Sequence, residues 1–205
     1  LTANKYGEEI NNWLEYQIKT VDEVAYTLNH IGNFENDYLC SYFAEKNKTN
    51  DDVTGYYMAL SDKTMATGVG WTPDEKYDPT SRPWYQDAES SDTCVISQPY
   101  MDAREQVMVF TISKAIKRNG KVVGVVASDV LTTVATEIVL GAKPIKNSYA
   151  FLIDNNSNIL IHPKKEFSPE GENDFKNLKN TLDGRLAKIS DSKDGVTLEK
   201  DYDGK

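Results

Sequence analysis

Apolar residues recur at helical spacing from Ile10 to about Tyr42. Ile10, Leu14, Val21, Val24, Leu28 and Ile31 advance by threes, fours and sevens and so share one helix face. The stripe runs on loosely through Phe34, Leu39, Tyr42 and Phe43, and Gly32-Asn33 predicts a break or kink. Such a face packs on its own domain or makes a dimer seam, because this spacing suits helix pairing. Both readings stand. Asn47 to Asp52 is a polar linker, and beyond it the period shifts from 3.6 towards 2.

Val53 to Leu60 and Lys63 to Val69 read as two strands joined by Ser61-Asp62-Lys63. Ser81 is placed to cap a short helix holding Arg82, Trp84 and Tyr85, with Pro83 in its first turn. Thr93 to Ser97 is a third strand. Gln106 to Lys117 and Lys121 to Val130 are two longer ones joined by Asn119-Gly120, the strongest short hairpin signal. Leu131 to Gly141 returns to helical spacing, stopped by Gly141 and Pro144. The order describes an antiparallel α+β module with a helical excursion after its second strand.

A repeat follows. Tyr56-Tyr57-Met58-Ala59-Leu60-Ser61-Asp62 is echoed by Tyr149-Ala150-Phe151-Leu152-Ile153-Asp154-Asn155, each with a polar turn and a short second strand, Thr64 to Thr67 and Asn158 to His162. A second copy is therefore expected from about Asn147; after Val196-Thr197-Leu198-Glu199 it lacks the first copy's closing hairpin, so either the chain is clipped or the second module is smaller.

At 205 residues, 39% hydrophobic and 10% aromatic, the chain is an ordinary globular one, with length for one large or two small domains. A formal charge of -9 argues against nucleic acid, whose phosphates would repel it. No apolar run reaches the ~20 residues that span a bilayer, and no signal-peptide pattern opens the chain. Cys40 and Cys94 are far apart in sequence, so spacing does not pair them. There is no Cys-x-x-Cys, and His30 and His162 are the only imidazoles. Neither a transition-metal site nor a cofactor is expected. Gly68-Val69-Gly70 lacks the third glycine and following helix of a nucleotide loop.

Candidate chemistry gathers at Tyr77, Arg82, Trp84, Tyr85, Tyr100 and Asp129. A guanidinium grips a carboxylate through paired N–H bonds, a carboxylate accepts from an ammonium, and aromatic faces attract the cation while excluding water. That inventory suits a ligand with both charges, such as a free α-amino acid. Asp129 ends the alternating row Val123, Val125, Ala127, where a carboxylate is costly unless paired or solvated. Asp102 reads as fixing the loop Tyr100-Met101-Asp102-Ala103. Singly, each residue has a plain reading: a surface arginine, core aromatics, a turn tyrosine, a strand-end aspartate. Nothing pairs a nucleophile with His30 or His162. The set holds a ligand and is not an enzyme's.

The segments Asp78-Pro79-Thr80-Ser81-Arg82-Pro83-Trp84-Tyr85, Ser97-Gln98-Pro99-Tyr100-Met101-Asp102 and Asn119-Gly120-Lys121-Val122-Val123-Gly124-Val125-Val126 resemble the membrane-distal half of a double Cache sensor domain. Such domains are the extracytoplasmic ligand-binding regions of bacterial chemoreceptors, sensor kinases and cyclic-dinucleotide enzymes. Tyr149 to Pro163 resembles the opening of the membrane-proximal half, and the long N-terminal helix matches too. One subset of the family binds α-amino acids through Tyr, Arg-x-Trp-Tyr, Tyr and Asp. Here Tyr77 stands five residues before Arg82, Tyr100 fifteen after Tyr85, and Asp129 twenty-nine after Tyr100.

The resemblance implies that Tyr77, Arg82 and Trp84 hold a carboxylate while Tyr85, Tyr100 and Asp129 hold an amino group. It implies PAS-like modules in tandem: a helical stalk over residues 1–47, a distal ligand-binding module over 48–141 and a partial proximal module over 142–205. The implied protein is a transmembrane receptor that pairs as a homodimer through the N-terminal helix, with membrane segments outside this chain. Two alternatives are a pocket for an amine or small carboxylate, and a ligand-free protein-interaction module. Residues reading the ligand's side chain fall within Tyr56 to Trp71 and Met101 to Gln106, unranked.

Overall fold

The first helix forms because its apolar stripe has a sheet to cover. In the computed structural model, which describes residues 2–105, 107–142, 149–154, 156–169 and 174–181, α1 runs Thr2–Ile31 and α2 Asn36–Lys46. Val21, Val24, Ala25 and Leu28 of α1 are buried with Leu39 and Phe43 of α2. Gly32 ends α1 in the left-handed conformation (φ 72°), its N–H donating to the Leu28 carbonyl at 2.9 Å, a turn that β-carbon-free glycine makes cheaply. Ile31 is a correction to the sequence stripe: it is exposed, 48% accessible. Leu14, Val21, Val24 and Leu28 of the stripe pack into the core shared with the protein's own sheet.

That sheet is antiparallel throughout, in the order β2-β1-β6-β5-β3, with β4 pairing β5. Its strands are β1 (Val53–Leu60), β2 (Met65–Thr67), β3 (Val95–Ile96), β4 (Tyr100–Met101), β5 (Met108–Arg118) and β6 (Lys121–Leu131). The α+β class and the hairpin are as the sequence predicts. Asn119 and Gly120 both take positive φ (52° and 76°), the two-residue turn that matches strand twist. Tyr100 is not a turn residue but opens β4, a strand the periodicity did not reveal because it is two residues long.

Alternation divides the sheet. Tyr56, Met58, Ile112, Ile116, Val126 and Val130 face α1 and α2. Ala59, Val109, Ala115, Val125 and Ala127 face the other way, against Trp84, Tyr85 and Ala88 of α3 (Pro83–Glu89). A bulge perturbs the pattern: Lys117 pairs Val122 while Ile116 pairs Gly124, so β6 carries one extra residue. Val123 thereby turns to the α1 face, correcting the row expected for it, and Val122 takes the α3 face. A second irregularity lies in β1, where Val53 pairs Val130 but Tyr56 pairs Ser128. It sets Thr54 and Gly55 beside Asp129, with Gly55 at φ 144°.

The expected cap also differs. Asp78, not Ser81, caps, and it caps the short turn Pro79–Ser81: its Oδ1 accepts from Thr80 N (3.0 Å) and Thr80 Oγ1 (2.6 Å). Arg82 is the N-cap residue of α3, and Pro83 occupies the first turn. Lys63, at φ 75°, pairs Asp78 at 2.6 Å and ties the β1–β2 turn to this segment.

Helix α4 spans Thr132–Gly141. The chain separates into two compact units, one over Glu9–Val134, the other over Leu1–Glu8 and Ala135–Lys205. The second contains the hairpin β7 (Leu152–Ile153) and β8 (Ile159–Ile161), where Ile159 and Leu178 are buried with Phe151, Ile153 and Phe167 against them. Gln106, Pro144, Asn147, Asn155 and the run Val196 to Glu199, invoked in the sequence reading, lie outside the described residues. Cys40 and Cys94 are free thiols. No helix among the described residues is long and apolar enough to cross a membrane.

Gly68 links this packing to the loop beyond β2. A β-carbon there would press on the Phe43 carbonyl and the Ala44 nitrogen, backbone atoms of α2 that cannot rotate away. Gly68→Ala is expected to cost about 1–3 kcal/mol, as overpacking does. Thermal denaturation should show a midpoint several degrees lower; an unchanged midpoint contradicts the close approach.

Candidate functional site

On the α3 face of the sheet, where α3 leaves the strand ends uncovered, a pocket of about 450 Å³ measured out to its mouth opens. Tyr77, Arg82, Trp84, Tyr100 and Asp129 all line it, and so does Asp102. Tyr85 does not. It is buried on α3 against Trp84 (ring centroids 5.8 Å), and the acids acting on its hydroxyl are Glu89, Asp62 and Asp78, none of them lining residues. Consecutive helix residues point about 100° apart, so Trp84 and Tyr85 cannot both face one cavity squarely.

The anionic end is built on paired strands. Asp129 of β6 stands opposite Thr111 of β5 and is 4% accessible. Its Oδ1 accepts from Thr111 Oγ1 at 2.6 Å, Tyr57 OH at 2.7 Å and Tyr100 OH at 3.4 Å. Tyr100 OH and Thr111 Oγ1 are also 2.6 Å apart. Oδ2 has no hydrogen-bond partner among the described residues, although Asp129 lines the pocket. Three hydroxyls fix one oxygen and none of them takes the other.

Burial dominates the electrostatics. It raises the Asp129 carboxyl from 3.8 to about 6, against the Thr111 and Tyr57 hydrogen bonds, which pull it down, while Asp102 adds to the rise. Burial likewise pushes the Tyr77 hydroxyl up to about 12, although the Arg82 guanidinium pulls it down. The Tyr57 and Tyr100 hydroxyls rise well above the ordinary phenol range, by burial first and by the Asp129 carboxylate second. They are donors at any physiological pH. A carboxyl whose folded-state pKa exceeds its unfolded value costs stability when ionised. Here that cost is fully present above pH 6 and is relieved as pH falls towards 4, on the order of 3 kcal/mol.

The cationic end is Arg82. Its guanidinium lies over the Tyr100 ring, 5.1 Å from the centroid, and Nη2 donates to the Met101 carbonyl at 3.4 Å. Tyr100 therefore touches both charges: its face carries the cation and its hydroxyl reaches the anion. Arg82 owes its place to α3, which Ser113 of β5 holds through its hydroxyl on the Trp84 carbonyl (2.8 Å). Asp102 fixes the following loop, its Oδ2 accepting from the backbone N–H groups of Arg104 and Glu105. Aromatic edges close the walls: Tyr57 against Trp84 at 5.3 Å and Trp71 against Tyr77 at 5.4 Å.

Sequence reasoning did not single out Tyr57, Thr111, Trp71 or Arg104. Tyr57, Trp71 and Arg104 fall inside the two unranked stretches. Thr111 carried no signal, because the β6 bulge moves it, in place of Phe110, opposite Asp129.

The chain matches a family model described as methyl-accepting chemotaxis protein-like, first PDC sensor domain, over residues 10–134. It is 37% identical over 160 residues to methyl-accepting chemotaxis protein McpC of Bacillus subtilis (strain 168), covering 77% of this chain and 22% of that protein. It spans about a quarter of the length of the curated receptors it matches. Among solved structures, the ligand-binding domain of Pseudomonas fluorescens chemoreceptor CtaA in complex with L-serine shares the fold (TM-score 0.77, 24% identity, 89% of this chain and 76% of that one). The same domain in complex with L-leucine gives a TM-score of 0.71 at 28% identity over 83% of this chain and 68% of that one.

Thr111 offers a direct test of the anionic end. Thr111→Val removes the shortest hydrogen bond to the carboxylate and so favours its protonated form. Carboxyl-carbon NMR titration should place Asp129 near 6 in the parent and distinctly higher in the variant. An Asp129 that titrates at its ordinary value in both would contradict the buried geometry.

Proposed function

The chain belongs to the methyl-accepting chemotaxis protein-like PDC sensor family, as a ligand-binding sensor domain of the chemoreceptor type, and we propose that its pocket binds a free α-amino acid. The observation that carries this is Tyr100 joining the guanidinium of Arg82 to the carboxylate of Asp129 in one pocket. The α-carboxylate lies on Arg82 with Tyr77 and Trp84, and the ammonium takes the open Oδ2 of Asp129 among Tyr57, Tyr100 and Trp84. Tyr57 replaces Tyr85 in this assignment. The chemoreceptor domains of similar fold bound to L-serine and L-leucine support it.

In the intact receptor this region is the membrane-distal module on the extracytoplasmic side, with residues 142–205 opening the membrane-proximal one. Pairing with a second copy uses the outward face of α1, where Tyr16 and Tyr26 are exposed. Ligand signals by binding two receptor states unequally.

Asp129→Asn and Arg82→Ala should each weaken binding by about 2–5 kcal/mol, the loss when one partner of a buried charge pair is removed. Calorimetry against the common amino acids measures this, with N-acetylated and carboxamide forms of the best ligand as controls that should not bind. Unchanged affinity in both variants, or normal binding of the blocked forms, would remove the reading.

Acidity supplies a second check. The ammonium needs the carboxylate ionised, and Asp129 protonates near 6. Affinity should be flat above pH 7 and fall about tenfold between pH 7 and pH 5. Binding that is pH-independent over that range contradicts the Asp129 contact.

A further inference from the structure

With the two head groups assigned, the remaining wall of the pocket includes Thr54, Gly55, Thr67, Val69, Asp102 and Arg104. We infer that Arg104 reads the ligand's side chain and selects one ending in an uncharged hydrogen-bond acceptor, a carboxamide above all. This rests on the amino-acid reading of the same pocket.

Arg104 is held in place before any ligand arrives. Nη2 donates to the Thr54 carbonyl at 3.2 Å, and Nε lies 2.8 Å from Glu105 Oε1. Its own backbone N–H is fixed by Asp102 at 3.0 Å. Thr54 belongs to the β1 irregularity that sits beside Asp129, so the guanidinium is anchored next to the ammonium end, within reach of a short side chain. Gly55 beside Thr54 has little room for a side chain: a β-carbon there would approach Asn47 Nδ2 at 3.1 Å and Val69 Cγ1 at 3.3 Å, and φ 144° disfavours any other residue.

Charge and hydrogen-bond capacity then narrow the class. A guanidinium has five donors and no acceptor, and two of its bonds are spent on Thr54 and Glu105. A cationic side chain would meet the like charge of Arg104, while the acid nearest it, Asp102, already accepts from the backbone N–H groups of Arg104 and Glu105. An apolar one would strip water from N–H groups and give nothing back. A carboxylate gains little, because Glu105 already offsets the charge and Asp102 lies two residues away. A neutral carbonyl oxygen accepts from the fork without adding charge.

Asparagine and leucine have nearly the same shape, and aspartate adds a charge to it, so these three ligands separate the possibilities. Calorimetry on the parent domain should show asparagine bound about tenfold or more tighter than leucine, the size of one hydrogen bond to a charged group. Aspartate should bind more weakly than asparagine. In Arg104→Met the asparagine advantage should vanish through weaker asparagine binding, with leucine affinity kept. Arg104→Leu substitutes if melting curves show Arg104→Met unfolded. An asparagine-to-leucine ratio unchanged in the variant, or a parent that prefers leucine, overturns the role of Arg104. Aspartate bound as tightly as asparagine overturns the uncharged class. These outcomes leave the amino-acid reading standing, whereas a parent that binds no amino acid removes both.

Discussion

A carboxylate buried in the sheet's inner face is the constraint around which the rest of this domain is arranged. Ionised Asp129 is expensive to bury, and no salt-bridge partner is recorded for it among the described residues. Its compensation comes from hydroxyls, each supplied by a different strand: Tyr57 from β1, Tyr100 from β4 and Thr111 from β5. Those strands must hold register for the three to converge, so the site's chemistry depends on the sheet's pairing. All three donors fall on one oxygen. The arrangement lowers the penalty without abolishing it, and in the proposed amino-acid complex the ligand's ammonium would relieve the rest.

The sheet's division of labour makes room for this. One face is spent on α1 and α2, which bury Val21, Val24, Leu28, Leu39 and Phe43 there. The other is only partly covered, by the seven-residue α3, and the strand ends beyond it form the pocket. Two irregularities tune that second face. The β6 bulge resets which residue of β5 meets Asp129, and the β1 irregularity pulls Thr54 and Gly55 out of regular alternation beside it. Bulges commonly re-aim side chains next to sites. Here they bring a threonine hydroxyl to the carboxylate and bare backbone to the wall that Arg104 leans on.

Strand β1, which carries Tyr57 on its pocket side, is tied on its other side to the first helix. Tyr56 turns its side chain from β1 to the α1 face, where its hydroxyl accepts from Asn50 Nδ2 at 2.9 Å, and the same nitrogen donates to Gln17 Oε1 of α1 at 2.7 Å. Trp13 and Gln17 both donate to Asp52. Gln17 is 1% accessible, a buried polar group that needs these partners. A chain of hydrogen bonds thus runs from β1 to a helix otherwise held by apolar packing.

How much of this was legible beforehand depends on the range of each interaction. Periodicity and local turn chemistry gave the helices, β1 to its residue limits, the Asn119-Gly120 hairpin and the α+β class, because those signals are carried by neighbours in sequence. The charged and aromatic inventory of Arg82, Trp84, Tyr77, Tyr100 and Asp129 was likewise visible, since ligand chemistry restricts residue type. Facing was not. Which of Tyr56 and Tyr57 points at the pocket, whether Phe110 or Thr111 opposes Asp129, and that Tyr85 turns into the core are decided by single-residue bulges and by the rotation of one short helix. A shift of one residue reverses every facing in a strand. The amino-acid sequence therefore determined the parts and their chemistry, and only the tertiary structure decided which parts meet, because register is settled between strands that lie far apart along the chain.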